Sequence, residues 1–75
     1  MGLFKSKAVR ELERIIEDID INLSNNYKEP AHKARMRLKT RADELFSGGA
    51  LKEKDYKRFI TIYEEYSEMM KDYRH

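Results

Sequence analysis

The sequence predicts a small all-α protein, a three-helix bundle in which an antiparallel helical hairpin packs with an N-terminal helix. The 75 residues suffice for one domain, spanning 1–75, with a single continuous core. Three glycines and one proline are too few for a β-sandwich or barrel, in which turns recur every few residues. In three separate segments, apolar residues recur at the spacing that places them on one face of a helix.

The first segment has the clearest periodicity and predicts helix 1 over about 5–23. Its apolar residues step by three and four positions along the chain, as Val9, Leu12, Ile16, Ile19 and Leu23. Ala8 and Ile15 widen this stripe. Ile21 falls outside it, and we expect it at an exposed or interface position. The polar run 24–26 then favours a turn.

Pro30 marks the start of the second segment, because proline fits the first turn of a helix and the residue before it avoids the α region. Helix 2 is therefore predicted from about Pro30 to Phe46, with a start at Asn26 as the alternative. Its apolar stripe consists of Ala31, Ala34, Leu38, Ala42 and Leu45. The three alanines in this stripe would allow neighbouring helices to approach closely. Gly48 or Gly49 is the expected left-handed residue after the helix, and so short a connection favours an antiparallel hairpin.

Helix 3 is predicted from residue 51 or 52 to Tyr73, and its apolar stripe covers close to half of its circumference. The stripe contains Tyr56, Phe59, Ile60, Ile62, Tyr63, Tyr66, Met69, Met70 and Tyr73. We expect a helix with so wide a stripe to pack against two neighbours.

Residues 45–56 resemble the helix–glycine turn–helix hairpin of small bacterial modules of the SHOCT type. The similar run is a glycine, two apolar residues and then an acid–aromatic pair, Asp55-Tyr56. Lys52 stands where such modules usually place a capping threonine or serine. The resemblance implies a turn and no activity.

Charge is distributed unevenly between the first two helices. Residues 28–41 contain six basic residues and one acidic residue, whereas 11–20 contain five acidic residues and one arginine. The two helices could pair through these charges, at about 0–1 kcal/mol for each exposed pair. The basic surface could instead contact an acidic protein or nucleic acid, the latter with strong salt dependence. The predicted contact residues are Lys33, Arg35, Arg37, Lys39 and Arg41, together with an apolar patch of Met69 and Tyr73.

Several functional classes find no support in the sequence. There is no cysteine for a disulfide framework, a thiolate metal site or a thiol nucleophile. A Glu-x-x-His spacing occurs once, at 29–32, whereas di-iron bundles need it on two helices. No phosphate-binding glycine loop is present. We therefore expect no enzymatic activity, cofactor, metal or small-molecule substrate.

The first residues contain no apolar run typical of a signal peptide and no stretch that could span a membrane, so a cytoplasmic location is expected. The start, residues 1–6, fits the Met-Gly-x-x-x-Ser pattern for N-terminal acylation. Alternatively, Leu3 and Phe4 fold back on the bundle. The function predicted is that of a small protein-interaction module or regulator, binding a partner protein or a second copy through a helical surface. The alternative is a nucleic-acid-binding protein that uses helix 2.

Overall fold

The prediction of an all-α three-helix bundle is confirmed. The computed structural model describes residues 5–71, so the first four residues of the acylation pattern, with Leu3 and Phe4, and the predicted contact residue Tyr73 lie outside the described residues. Three helices are present, α1 (Lys7–Ser24), α2 (Lys28–Ser47) and α3 (Glu53–Met70), and no strand occurs within 5–71. Consecutive helices are antiparallel, so α1 and α3 run in the same direction.

Helix α1 begins where its sequence supplies a cap. The backbone N–H of Val9 donates to Oγ of Ser6, at 3.1 Å, and satisfies one of the amide groups that a helix start leaves without a partner. This capping serine belongs to the run of residues that also fits the acylation pattern.

Helix α2 begins at Lys28, so both predicted starts are wrong. Tyr27 precedes the helix and makes no side-chain capping hydrogen bond. Pro30 is the third residue of the first turn, where its missing N–H removes no helical hydrogen bond. Asn26 has a φ of 59° and lies in the left-handed conformation, and it therefore helps to end α1 rather than to start α2.

The two interhelical turns have the same pattern of backbone hydrogen bonds. After α1, the N–H of Asn26 donates to the carbonyl of Leu23, and the N–H of Tyr27 donates to that of Asn22. After α2, Gly49 has a φ of 82° and donates to Phe46, and residue 50 donates to residue 45. Both are Schellman motifs, which satisfy the last carbonyls of a helix and reverse the chain. The prediction of a left-handed glycine after α2 is confirmed at Gly49.

The core is apolar and centres on α2. Four of its larger side chains are completely buried, and they come from all three helices: Leu12, Ile19, Leu38 and Phe59. The three alanines of α2 are also buried, as predicted. Helix α2 packs closely against both α1 and α3, while the backbones of α1 and α3 approach each other only marginally. The side chains of α3 nevertheless pack against both neighbours, because Phe59, Ile62 and Tyr66 share one apolar core with residues of α1 and α2. The expectation that α3 packs against two neighbours is confirmed.

Within the part of the chain that the structure describes, no helix has the combination of length and apolar character needed to cross a membrane.

Candidate interaction surface

Two of the predicted contact arginines bind acidic residues of α1. Arg37 Nη2 lies 2.6 Å from Oδ2 of Asp18. Arg41 donates to both carboxylate oxygens of Glu11, with Nη2 at 3.0 Å from Oε1, and also reaches Glu44 on its own helix at 2.9 Å. Such two-pronged contacts fix the relative position of two helices. The charges of α1 and α2 therefore pair, as one interpretation of the sequence predicts.

Arg35 and Lys39 lie on the other side of α2, towards α3. Arg35 Nη1 donates to Oγ of Ser67 at 2.9 Å and to the hydroxyl of Tyr63 at 3.2 Å, and its guanidinium group lies 5.4 Å from the centre of the Tyr63 ring. Lys39 Nζ lies 2.6 Å from Oδ2 of Asp43. The other oxygen of Asp43 accepts a hydrogen bond from the hydroxyl of Tyr56 on α3, also at 2.6 Å.

Three of the five predicted basic contact residues, Arg37, Lys39 and Arg41, are paired with carboxylates, whereas Arg35 contacts neutral groups. Of the five predicted basic contact residues, Lys33 is exposed and is the one without an ion pair or hydrogen bond within residues 5–71. The other four lie on two sides of the helix and contact different neighbours. The structure therefore does not bring the five residues together on one continuous basic surface.

The ion pairs shift the ionisation of two carboxyl groups. Hydrogen bonds from Arg41 hold the pKa of Glu11 below its ordinary value of 4.5. Hydrogen bonds from Lys39 and from the Tyr56 hydroxyl likewise lower the pKa of Asp43 below 3.8. A carboxyl group whose pKa is lower in the folded state stabilises the fold above its unfolded-state pKa, and this contribution is lost as the pH falls through the folded-state value.

We expect the free energy of unfolding to fall as the pH is lowered from about 5 to 3, with Glu11 contributing to that fall. Glu11→Gln removes the titrating carboxyl group, so the free energy of unfolding should depend less steeply on pH. Arg41→Gln leaves Glu11 without its donor and should flatten the dependence in the same way. Urea unfolding followed by circular dichroism at each pH measures both effects. If the free energy of unfolding depends on pH equally steeply in both variants and in the unmodified protein, the ion pair does not form in solution.

Within residues 5–71, five large apolar side chains are exposed outside the core: Ile21, Tyr27, Met36, Phe46 and Met69. The exposure predicted for Ile21 is confirmed, with 57% of the residue accessible. Phe46 is partly covered, because its ring stacks on Tyr56 with the ring centres 4.3 Å apart. Met36 and Met69 are similar in exposure, at 60% and 64%, but Met69 lines a groove to which Met36 does not contribute.

The groove lies between the C-terminal halves of α1 and α3, on the side of the bundle opposite α2. We call it the α1–α3 groove, and its lining residues are Asp20, Leu23, Ser24, Ile62, Glu65, Tyr66 and Met69. Its apolar residues come from both walls, Leu23 from α1 and Ile62, Tyr66 and Met69 from α3. Each wall also contributes one carboxylate, and no lysine or arginine lines the groove.

Tyr66 connects the two walls of the groove. Its hydroxyl donates a hydrogen bond to Oδ1 of Asp20 across the gap between α3 and α1. Partial burial, together with this bond to a carboxylate, raises the pKa of Tyr66 well above its ordinary value. The phenol is therefore neutral under ordinary conditions and donates a hydrogen bond to Asp20, and this polar contact joins α3 to α1 beside their shared apolar core.

A second depression lies at the opposite end of the bundle and is more polar. Its lining residues are Lys5, Ser6, Val9, Ala50, Lys52, Asp55 and Arg58. Lys5 pairs with Glu13 at 3.0 Å, and Arg58 approaches Asp55 at 3.8 Å. Its charges are therefore largely satisfied within the chain. Among residues 5–71 no three histidine, cysteine, aspartate or glutamate side chains cluster as a metal site would require.

Among the predicted contact residues that lie within 5–71, Met69 is the one that lines the α1–α3 groove. Sequence reasoning assigns Leu23, Ile62 and Tyr66 to the core stripes and does not single out Asp20 or Glu65. The helical spacing that places an apolar residue on the inner face does not distinguish a buried seam from the wall of a groove. The signal in the sequence is the width of the stripe on α3, which exceeds what contact with α2 alone requires.

No family model matches the chain, and the searches of curated proteins and of solved structures found no match either. The local resemblance of residues 45–56 to a SHOCT-type hairpin therefore carries no family assignment.

Proposed function

We propose that this protein is a non-enzymatic interaction module that binds one helix of a partner protein in the α1–α3 groove. The observation that supports the proposal most directly is the exposed Met69, which lines a groove together with Leu23 and Ile62 between two helices whose backbones approach each other only marginally. An amphipathic helix lying in a groove between helices is a common mode of peptide recognition.

The arrangement of the helices favours a helical occupant. The backbones of α1 and α3 approach each other only marginally, whereas α2 packs closely against both, and the groove between α1 and α3 is open at the surface. A fourth helix in the groove would contact α1 and α3 together and complete a four-helix arrangement. Met69 suits such a contact, since its unbranched thioether side chain adapts to partners of different shape.

The alternative, nucleic-acid binding through α2, has weaker support. Arg37 and Arg41 are occupied by acids of α1, and Lys39 is occupied by Asp43. A phosphate backbone would have to compete with these carboxylates for the same cations. Titration with a generic duplex and a single strand at low and moderate salt separates the two functions. Micromolar binding that weakens steeply with salt would favour the alternative.

The proposed function is tested by comparing two exposed methionines. An amphipathic peptide of about 20 residues, with leucine on one face and neutral glutamine on the other, is titrated into ¹⁵N-labelled protein and followed by NMR. We expect the chemical-shift changes to map to the α1–α3 groove. Met69→Glu should weaken binding about tenfold or more, because it places a charge where an apolar side chain would be buried.

Met36→Glu is the matched control, since Met36 is almost equally exposed but lies on α2 outside the groove. We expect this variant to bind the peptide like the unmodified protein. Equal weakening in both variants, or shifts that map to α2, would contradict the assignment of the groove. Unfolding curves of both variants should match that of the parent, because neither side chain contributes to the core.

A further inference from the structure

We infer that the partner helix is basic, with lysine or arginine along both edges of its apolar face. This inference rests on the proposed function, because it assigns the charge of the helix that the α1–α3 groove would bind. It goes beyond that function by excluding a second copy of this chain, bound symmetrically in the groove, as the occupant.

The charge of the groove comes from its two walls. Asp20 stands on the α1 wall and Glu65 on the α3 wall, and no basic residue lies between them. Asp20 accepts the Tyr66 hydrogen bond with Oδ1, which leaves Oδ2 able to accept from a partner's cation. Glu65 is exposed and takes part in no ion pair within the described chain. An apolar floor between two such carboxylates is complementary to an apolar helix face between two rows of cations.

Neighbouring residues extend the same sign of charge along α1. Glu17 precedes Asp20 by three positions, which places the two carboxylates on adjacent turns of one helical side, and both residues are exposed. On α3, Glu68 is also exposed, but Lys71 lies 2.8 Å from it and offsets its charge. The negative potential is therefore concentrated at the lining pair and at the α1 edge of the groove.

A symmetric dimer through this groove would set equal charges against each other. A two-fold axis brings the same patch of both subunits together, so Asp20 and Glu65 of one copy would face those of the other. The basic helix of the chain, α2, is no substitute occupant, because its apolar stripe is already buried against α1 and α3. The charge complementarity therefore points to another protein as the source of the helix.

The test uses three synthetic peptides of about 20 residues with the same leucine face. The positions at the edges of this face carry lysine in the first peptide, glutamine in the second and glutamate in the third. Binding is measured by fluorescence anisotropy at low salt and at about 150 mM salt. We expect the lysine peptide to bind about fivefold to tenfold more tightly than the glutamine peptide, since two exposed pairs each contribute modestly. The glutamate peptide should bind most weakly, and the differences should shrink with salt.

Variants of the protein locate the source of the preference. The double variant D20N/E65Q should lose the preference for lysine while retaining its affinity for the glutamine peptide, because the amide oxygen introduced by D20N can still accept the Tyr66 hydrogen bond. Glu64→Gln is the matched control, since it removes an exposed carboxylate of α3 that lies outside the groove. This control should keep the full preference.

The different failures are distinguishable. Equal binding of the lysine and glutamine peptides, or tighter binding of the glutamate peptide, would overturn the basic-partner inference and leave the proposed function standing. Absence of binding by all three peptides would overturn the proposed function itself. A third outcome would also overturn the inference. If sedimentation shows a dimer and Met69→Glu disrupts it, a second copy of the chain occupies the groove.

Discussion

Phe59→Ala should destabilise the protein by about 3–5 kcal/mol, the largest effect that we expect from any single substitution in the core. Phe59 is completely buried, and its removal loses both the transfer free energy of the ring and the contacts around the cavity left behind. The free energy of unfolding of the whole protein should be about 4–11 kcal/mol if its 75 residues have the average stability per residue of globular proteins. A large part of the molecules should therefore unfold under mild conditions.

Urea unfolding followed by circular dichroism measures this loss, and Phe46→Ala is its control. Phe46 is 39% exposed and is held mainly by its stacking on Tyr56. We expect its removal to cost about 1–2 kcal/mol. Equal losses at the two positions would show that Phe59 does not occupy the centre of the core.

Ala42→Leu should have the second largest effect, a loss of about 1–3 kcal/mol. Ala42 is completely buried in the stripe of α2, and three further carbon atoms have to enter a region that the neighbouring side chains already fill. Leucine and alanine have similar helix propensities, so the loss would come from overpacking rather than from the helix itself. A lower unfolding midpoint in urea with an unchanged slope is the expected observation.

Thr40→Leu tests the same helix at an exposed position. Thr40 lies on the outer side of α2, where an added leucine meets no neighbour. We expect its stability to stay within about 0.5 kcal/mol of the parent protein. If Ala42→Leu were equally neutral, α2 would not be packed closely against its neighbours, and the helix arrangement behind the proposed function would need revision.

The helices can be predicted from the spacing of their apolar residues, and the errors fall at their ends. In α1 the steps between Val9 and Leu23 are regular, so the segment and its inner face are unambiguous. The predicted start of α2 is wrong because Pro30 is tolerated throughout the first turn and Tyr27 gives no capping signal in the sequence. The left-handed Asn26 is the residue that marks this boundary, and asparagine tolerates that conformation better than most residues.

The candidate groove can be predicted only in part. Met69 is recognisable as a surface residue, but Leu23 and Tyr66 have the spacing of core residues. What separates a groove wall from a core seam is the distance between α1 and α3, and no local pattern specifies that distance. Pairing of Arg37 and Arg41 with acids of α1 follows from opposite charges. The contacts of Arg35 with neutral side chains of α3, in contrast, carry no charge signal.

The pattern of helix packing also has a consequence for how fast the chain folds. Helix α2 packs against the helix before it and the helix after it, and close backbone contacts between α1 and α3 are few within residues 5–71. Most native contacts therefore form between segments close in sequence, and little loop-closure entropy has to be overcome before they form. Helical proteins of this kind fold within microseconds to milliseconds, and for a chain of this length the empirical lower limit is about 1 µs. Each antiparallel pair has its own Schellman turn, so we expect either pair to be able to form first, whereas the α1–α3 groove needs all three helices in place.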